Sequence, residues 1–359
     1  MAVTVFPKKV RGTAGAIAGR IGLGVASLLI ATGACAQAAA PVPITLYQGA
    51  DRTQRLLEGA RKEGALNLYT SMAAADDRLL IDAFEKKYGI KVKVFRSAKN
   101  ILLQRVINEA RAGRNEADFV GNPSPEMEAL VREKLLQPVI SPVQQDLIPA
   151  ALPKHKMWTG FRVYMFVEAY NTDKVSKDEL PKTYQDLLDP KWKGRLGIES
   201  KQQEWFYTLV QAMGEKKGLQ YFRDLVRNNQ VSQHNGNSLL TNMVVSGEVQ
   251  MGLGLYSYLT DQRKAKGAPI DYIALSPSIA YTDGLGIPAK APHPYAATLF
   301  YDFMLTDGQK IVSEGKAFTT NKRDQETLAK FNPIYMDAPH ILDTYDRWVK
   351  LYDDVLNGR

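Results

Sequence analysis

Cysteine is almost absent: the 359-residue chain has one, Cys35. An internal disulfide is therefore excluded, and so is a zinc site built on thiolates. Histidine is scarce too. His155, His234, His293 and His340 form no H-x-x-x-H or H-E-x-x-H spacing, which leaves histidine-bound zinc without support. No G-x-S-x-G, P-loop or G-x-G-x-x-G sequence occurs, and Gly252-Leu253-Gly254 is too short to count as one. Nothing marks serine–histidine–acid catalysis, so the chain does not read as an enzyme and no resident cofactor is expected. The basic residues form no long Lys/Arg block, which argues against nucleic acid as a partner. No apolar run reaches the roughly 20 residues of a bilayer span.

What is present is the balance of a folded soluble protein. Hydrophobic residues make up 45% and charged residues 23%. The length allows two domains with cores that need no staples. The first forty residues stand apart. Lys8, Lys9, Arg11 and Arg20 are basic without an acidic partner, Ile21 to Ala34 is small or apolar, and Ala34-Cys35-Ala36 follows. This is the layout of a secretory signal peptide over residues 1–36, removed on export to the periplasm. Thr32-Gly33-Ala34-Cys35 is a poor lipobox, which makes a lipoprotein the lesser reading. Removing the four basic residues of this segment takes the net charge from +8 to about +4.

Beyond it, two periodicities alternate. Leu66–Thr70, Lys91–Phe95, Ala117–Val120, Arg162–Tyr170, Leu196–Ile198, Met251–Tyr256 and Asp271–Leu275 read as strands. Between them lie helical faces such as Leu79, Leu80, Ala83, Phe84 and Tyr88, opened by Asp76 and Asp77 and ended by Gly89. Ser124-Pro125-Glu126 has the form of a helix start, with Ser as cap, and Asn237-Ser238 caps another. The C-terminal part carries helices near Ala296–Leu305 and Ile341–Leu356. Such alternation predicts an α/β fold with a mainly parallel sheet. Ligands in these sheets bind beyond the carboxyl ends of strands and at helix N-termini. The loops Thr70–Asp76, Gly121–Pro125, Glu199–Glu204, Gln233–Ser238 and Tyr256–Tyr258 are therefore the candidate site.

Short landmarks carry a resemblance. They are Asp82-Ala83-Phe84 before Gly89-Ile90-Lys91-Val92; Ala117-Asp118-Phe119; Leu135-Leu136-Gln137-Pro138; Ala169-Tyr170-Asn171-Thr172; Pro190-Lys191-Trp192-Lys193-Gly194-Arg195-Leu196-Gly197; Gly247-Glu248-Val249; and Phe303-Met304-Leu305 before Gly308-Gln309. In order and spacing, from Leu66 to about Asn321, the chain resembles the ferric-iron-type periplasmic solute-binding proteins of ABC importers. The resemblance implies the two-lobed type II periplasmic binding fold, with a ligand cleft between lobes joined by crossing strands. Residues 41–125 and 276–315 would form one lobe, and 126–275 with 316–359 the other. It further implies an ABC transporter permease as partner and a monomeric receptor. A periplasmic ligand-sensor subunit and a hydrolase on the same scaffold are the rival classes.

Cargo identity carries over less directly. The resemblance places Ala73, Asn122 and Ser257 where iron binders of the family use histidine, glutamate and a first tyrosine; Tyr258 alone keeps its ligand type and would be the metal ligand if the cargo is iron. Ferric iron favours anionic oxygen, which Ala, Asn and Ser do not supply. The expected cargo is therefore a small anionic or carboxylate-bearing solute, with ferric iron as the alternative. Asn237 and Ser238 match the family's polar helix start, where an anion can accept N–H bonds, or are a plain cap. Lys201 would pair an acidic group, or be a solvated surface lysine. Tyr256 and Trp205 would wall an organic ligand, although Trp205 also reads as core. Thr70 and Ser71 end the first strand as possible donors.

Overall fold

The computed structural model describes residues 42–359. The expected signal peptide and Cys35 lie outside them. No helix among the described residues is long and apolar enough to cross a membrane.

The first part of the chain alternates helix and strand: α1 (Arg52–Glu63), β1 (Ala65–Thr70), α2 (Ala74–Tyr88), β2 (Lys91–Arg96), α3 (Lys99–Arg111), β3 (Phe119–Pro123), α4 (Ser124–Arg132) and the short β4 (Leu136–Gln137). A long strand, β5 (Thr159–Asn171), leads to β6 (Leu196–Glu199), α5 (Gln203–Met213), α6 (Glu215–Asn229), β7 (Ser232–His234), α7 (Asn237–Ser246), β8 (Met251–Tyr256), α8 (Ser257–Lys264) and β9 (Ile270–Ile273). The chain then returns through β10 (Ile279–Pro288), α9 (Pro294–Phe303), α10 (Gln309–Glu314), β11 (Phe318–Thr319), α11 (Gln325–Ala329), β12 (Ile334–Tyr335) and α12 (Ala338–Leu356).

The strand order β2-β1-β3-β10-β5-β8-β6-β7 explains the two lobes. β2, β1 and β3 run parallel, as do β8, β6 and β7. Between these trios stand β10 and β5, antiparallel to each other. β10 spends Asp283–Gly286 on β3, while β5 spends Phe166–Tyr170 on β8. Each strand thus crosses from one trio to the other. The sequence reading includes β5 but not β10. Buried along nearly its whole length and interrupted by Gly284, Gly286 and Pro288, β10 shows no alternation to detect.

Two separate apolar cores follow the trios. One gathers Leu66, Leu68, Leu80, Phe84, Phe119, Phe161 and Phe300, and the other Ile198, Trp205, Phe206, Phe222, Leu253 and Trp348. The sequence reading opens the second lobe at residue 126. Met127 and Leu130 of α4 nevertheless pack with Tyr69, Leu102 and Trp158 beside the first trio, and Leu147, Ile148, Ala317 and Leu328 join the first core. α12 packs in the second through Ile341, Trp348 and Tyr352. Helix starts also shift: α2, α4 and α7 begin after Ala73, Pro123 and Gly236, and no side chain at those positions caps them.

One core group is out of character. Glu168 of β5 is wholly buried; Leu275 N–H reaches one carboxyl oxygen at 3.4 Å, and the other has no partner. Burial pushes its carboxyl from the ordinary 4.5 up to about 8. Between those values the folded state holds a proton that the unfolded chain has lost, so stability falls as pH rises. The slope is about 1.4 kcal/mol per pH unit. Glu168→Gln should therefore melt above the parent protein at pH 8 and together with it near pH 4. Equal melting temperatures at both pH values would show that Glu168 is not held neutral.

Candidate functional site

The site begins with Arg162. It lies on β5, is 2% exposed, and cannot lose its proton. Its Nε donates to Asp283 of β10 at 3.1 Å, and Nη1 to Asp76 of α2 at 2.7 Å; Nη2 donates to the Tyr164 hydroxyl. Burial disfavours its charge, but Tyr164, Asp283, Tyr258 and Asp76 outweigh that cost and raise its pKa further. One cation thus ties both crossing strands to the first helix after β1.

Around it four tyrosines assemble. Tyr164 of β5 stacks on Tyr281 of β10, with centroids 4.6 Å apart and planes 3° from parallel. Tyr256, at the end of β8, meets Tyr164 edge-on at 5.1 Å. Tyr258 meets Tyr164 at 5.5 Å and lies under the Arg162 guanidinium at 5.6 Å. The hydroxyls of Tyr281 and Tyr256 are 3.4 Å apart. Burial raises the pKa of all four phenols.

A cavity of about 200 Å³ opens beside this group. Tyr256, Tyr281, Phe166, Pro123, Pro125 and Met336 form its walls. Lys99, Glu199, Lys201, Gln202, Glu204, Gly236 and Asn237 supply its polar surface. Elements from both parallel trios contribute, with crossing strand β10 between them.

Two charge pairs set the electrostatics. Lys99, at the start of α3, reaches Glu204 of α5 at 2.6 Å and Glu126 of α4 at 3.3 Å. Its ion pair thereby spans the cleft. Burial opposes the ammonium charge, but Glu126 and Glu204 prevail and hold its pKa above the ordinary value. Burial raises Glu126, and its Oε2 has no partner. Glu199 ends β6. Its Oε1 accepts from Gly236 N–H at 3.0 Å and its Oε2 from Lys201 N–H at 2.9 Å. Burial lifts this carboxyl, and the two N–H groups offset part of the rise.

Hydrogen bonds also fix which way the amides face. The Gln202 side-chain amide donates to the Gly254 carbonyl, so its Oε1 must be the acceptor. Asn237 Nδ2 donates to that Oε1 at 2.8 Å. Asn237 Oδ1 is left buried without a hydrogen-bond partner.

The structure brings three of the sequence-expected residues together on this cavity: Tyr256, Asn237 and Lys201. Lys201 is largely exposed, with Asp353 at 3.8 Å. The others lie elsewhere. Tyr258 lines a smaller recess with Asp76, Arg162 and Gln262. Asn122 is buried and structural; its Nδ2 holds the Lys99 carbonyl at 3.0 Å. Trp205 belongs to the core, packed on Phe222 at 5.6 Å and over Gly254, whose φ of +64° and lack of a side chain let the indole approach. Ser238 is exposed on α7 and lines no part of the cavity, nor does Ser71, whose backbone N–H bonds Gly121. Thr70 is occupied by Met72 N–H and by Asp77, whose carboxyl burial raises to about 6. The sequence carries no signal for Lys99, Glu126, Arg162 or Tyr281 as site residues, while Gln202 and Glu204 fall within the candidate loop Glu199–Glu204. A pairing of Lys99 with two glutamates far along the chain leaves no local pattern.

Arg162 allows a direct test of what holds this arrangement. Removing one member of a buried ion cluster leaves the opposite charges uncompensated and costs about 3–5 kcal/mol. Arg162→Met should lower stability by that order in urea unfolding, and adding Asp283→Asn should recover part of it. A single variant as stable as the parent would show that the cluster does not support the fold.

Comparison with known proteins agrees with this architecture. Residues 80–328 match the family model described as bacterial extracellular solute-binding protein. Iron uptake protein A1 of Synechocystis is 26% identical over 315 residues, covering 77% of this chain and 86% of that protein. The Fe(3+)-binding periplasmic protein of Serratia marcescens is 28% identical over 251 residues, covering 66% and 73%. A Trichodesmium protein solved with iron and citrate superposes with a TM-score of 0.66 at 25% identity, over 81% of this chain and 99% of that one. The fold is thus the two-lobed α/β fold of periplasmic solute-binding proteins, and the family is one of transport receptors, not enzymes. The chain belongs to the bacterial extracellular solute-binding protein family.

Proposed function

We propose that this protein is the periplasmic receptor of an ABC importer and that its cargo is ferric iron. The observation that carries the reading is the oxygen-rich lining of the cavity. Two phenols, Tyr256 and Tyr281, stand 3.4 Å apart hydroxyl to hydroxyl on its wall. The Glu204 carboxylate lines the same cavity, and Glu126 adjoins it through Lys99. Ferric iron is a hard cation served by such groups. Among the described residues no three His, Cys, Asp or Glu side chains converge to hold a metal ion, so an iron site here depends on phenolate. Relatives named for iron uptake and Fe(3+) binding support the same cargo. An anionic organic solute has weaker support: the helix-start N–H of Gly236 and the nearby N–H of Lys201 are taken by Glu199.

The remaining parts of the reading follow the family. Residues 1–36 act as a cleaved export signal. The two lobes divide along the two apolar cores and close about β5 and β10, and the closed monomer docks on a membrane permease. A sensor subunit would use the same closure; stimulation of a cognate transporter's ATPase by the loaded protein separates the two.

The cargo is tested by titrating purified protein with ferric citrate while reading visible absorbance and melting temperature. A tyrosinate–iron charge-transfer band should appear, with a rise in melting temperature. Because both phenols must lose protons that burial helps them keep, affinity should increase from pH 6 to pH 8. Tyr256→Phe and Tyr281→Phe should each weaken binding at least about tenfold, or about 1.4 kcal/mol. No band with ferric citrate, alongside a clear thermal shift with citrate alone, would overturn the iron reading.

A further inference from the structure

We infer that Lys99 sets which cations the cleft admits: its ammonium is a tethered cation that occupies the place between Glu126 and Glu204 and closes that carboxylate pair to divalent metal ions. This rests on the proposed reading of the cleft as a cation site, but its test needs no iron.

One nitrogen serves two carboxylates. Lys99 Nζ lies 2.6 Å from Glu204 Oε1 and 3.3 Å from Glu126 Oε1. Lys99 and Glu126 stand on α3 and α4, which pack beside the first trio, whereas Glu204 is in the first turn of α5, which packs in the second core. The Lys99 backbone is held from behind, since Asn122 Nδ2 donates to its carbonyl at 3.0 Å. Both glutamates are largely buried, at 7% and 8% exposed. Buried carboxylates need a cation beside them. Burial raises the Glu126 pKa; the Lys99 charge opposes that rise and the Glu204 charge adds to it. Glu126 Oε2 has no hydrogen-bond partner, so the pair offers more acceptor capacity than Lys99 uses.

Selectivity follows from the competition at this place. Carboxylates at such a pair suit a hard divalent ion such as Mn2+, which completes its shell with water. With Lys99 present, that ion meets an ammonium at the position it would need. The ammonium is tethered, so it competes at a local concentration that free monovalent ions do not reach. Its repulsion at contact distance is large where water is partly excluded. The Lys99 side chain keeps 36% of its surface exposed, which gives it room to swing into water when a stronger cation arrives. Under the cargo reading, ferric iron is that cation: it carries the larger charge and gains the Tyr256 and Tyr281 phenolates as well. Lys99 thereby acts as a charge threshold. A salt bridge that only tied the lobes together would stabilise the fold without altering metal preference.

The experiment compares the iron-free parent with Lys99→Met, Lys99→Gln and Lys99→Arg, using Mn2+ alone as probe in calorimetry and thermal shift at pH 7. The parent and Lys99→Arg, which keep a cation, should show no Mn2+ binding at the pair. Lys99→Met and Lys99→Gln should bind Mn2+ at least about tenfold more tightly than the parent. Their melting temperatures, lowered by loss of the ammonium, should rise again with Mn2+. Adding Glu204→Gln to either should abolish the gain. If Lys99→Met does not fold, Lys99→Gln, which keeps a donor for one carboxylate, decides the point. A folded Met or Gln variant with no gain over the parent, an Arg variant that gains as much, or a gain that survives Glu204→Gln would overturn the inference. Absence of the iron band would refute the cargo reading and leave this result standing.

Discussion

The arrangement of the cleft depends on one buried cation. Arg162 bonds Asp283 across the β5–β10 pair and Asp76 on α2, and it touches the Tyr164 hydroxyl. A guanidinium removed from water requires such partners, because its charge cannot be neutralised by proton loss. Its fork geometry then fixes them relative to one another. Tyr164 is set against Tyr281, and Tyr256 packs edge-on to Tyr164. The aromatic wall of the cavity is thus a consequence of where Arg162 sits on the strand that joins the lobes. A receptor that closes around its cargo needs some element to hold one geometry while the lobes move. The crossing strands and this cluster are well placed for that role.

Charge in the cleft is balanced with internal groups. Lys99 is the cation for Glu126 and Glu204, and Glu199 accepts the N–H of Gly236 before α7. Lining Lys99 and Lys201 are matched by Glu199 and Glu204, with Glu126 paired to Lys99 at 3.3 Å. The net field is therefore not the positive one that an anionic cargo would call for. Under the proposed iron reading, the cargo would take the place of the Lys99 ammonium between Glu126 and Glu204. Because Lys99 already joins the two sides of the cleft, an incoming metal ion would exchange one cross-cleft tie for another.

Much of this was legible in the sequence, unevenly. Lys91–Phe95 and Met251–Tyr256 show strand character locally, and both are strands. The loops at the ends of β3, β6, β7 and β8 are the candidate ligand regions of the sequence, and Pro123, Glu199, Gln202, Asn237 and Tyr256 come from them. Individual roles were harder to read. Asn237 looks like a helix cap or an anion donor; in the structure its side-chain N–H is committed to Gln202, whose own amide holds the Gly254 carbonyl. Tyr258 keeps the family's residue type, yet it packs against Arg162, while Tyr281 reaches the cavity from β10. β10 itself is silent because burial on both faces removes alternation. Lys99 is silent because its partners lie 27 and 105 residues away along the chain.

This bears on what the substitutions at Ala73, Asn122 and Ser257 mean. Read alone, they remove one nitrogen and two oxygen ligands and argue against a metal cargo. In the folded chain, Asn122 serves the backbone of Lys99, and Ser257 is buried as the first residue of α8. Other oxygens line or adjoin the cavity from different points of the fold: the Tyr281 phenol on β10, the Glu204 carboxylate on α5, and Glu126 on α4 through its pairing with Lys99. Position-by-position comparison does not register such groups, because it asks only what stands at one place in the chain. What the cleft can bind is set by the oxygens that converge there, from whichever strand or helix they come.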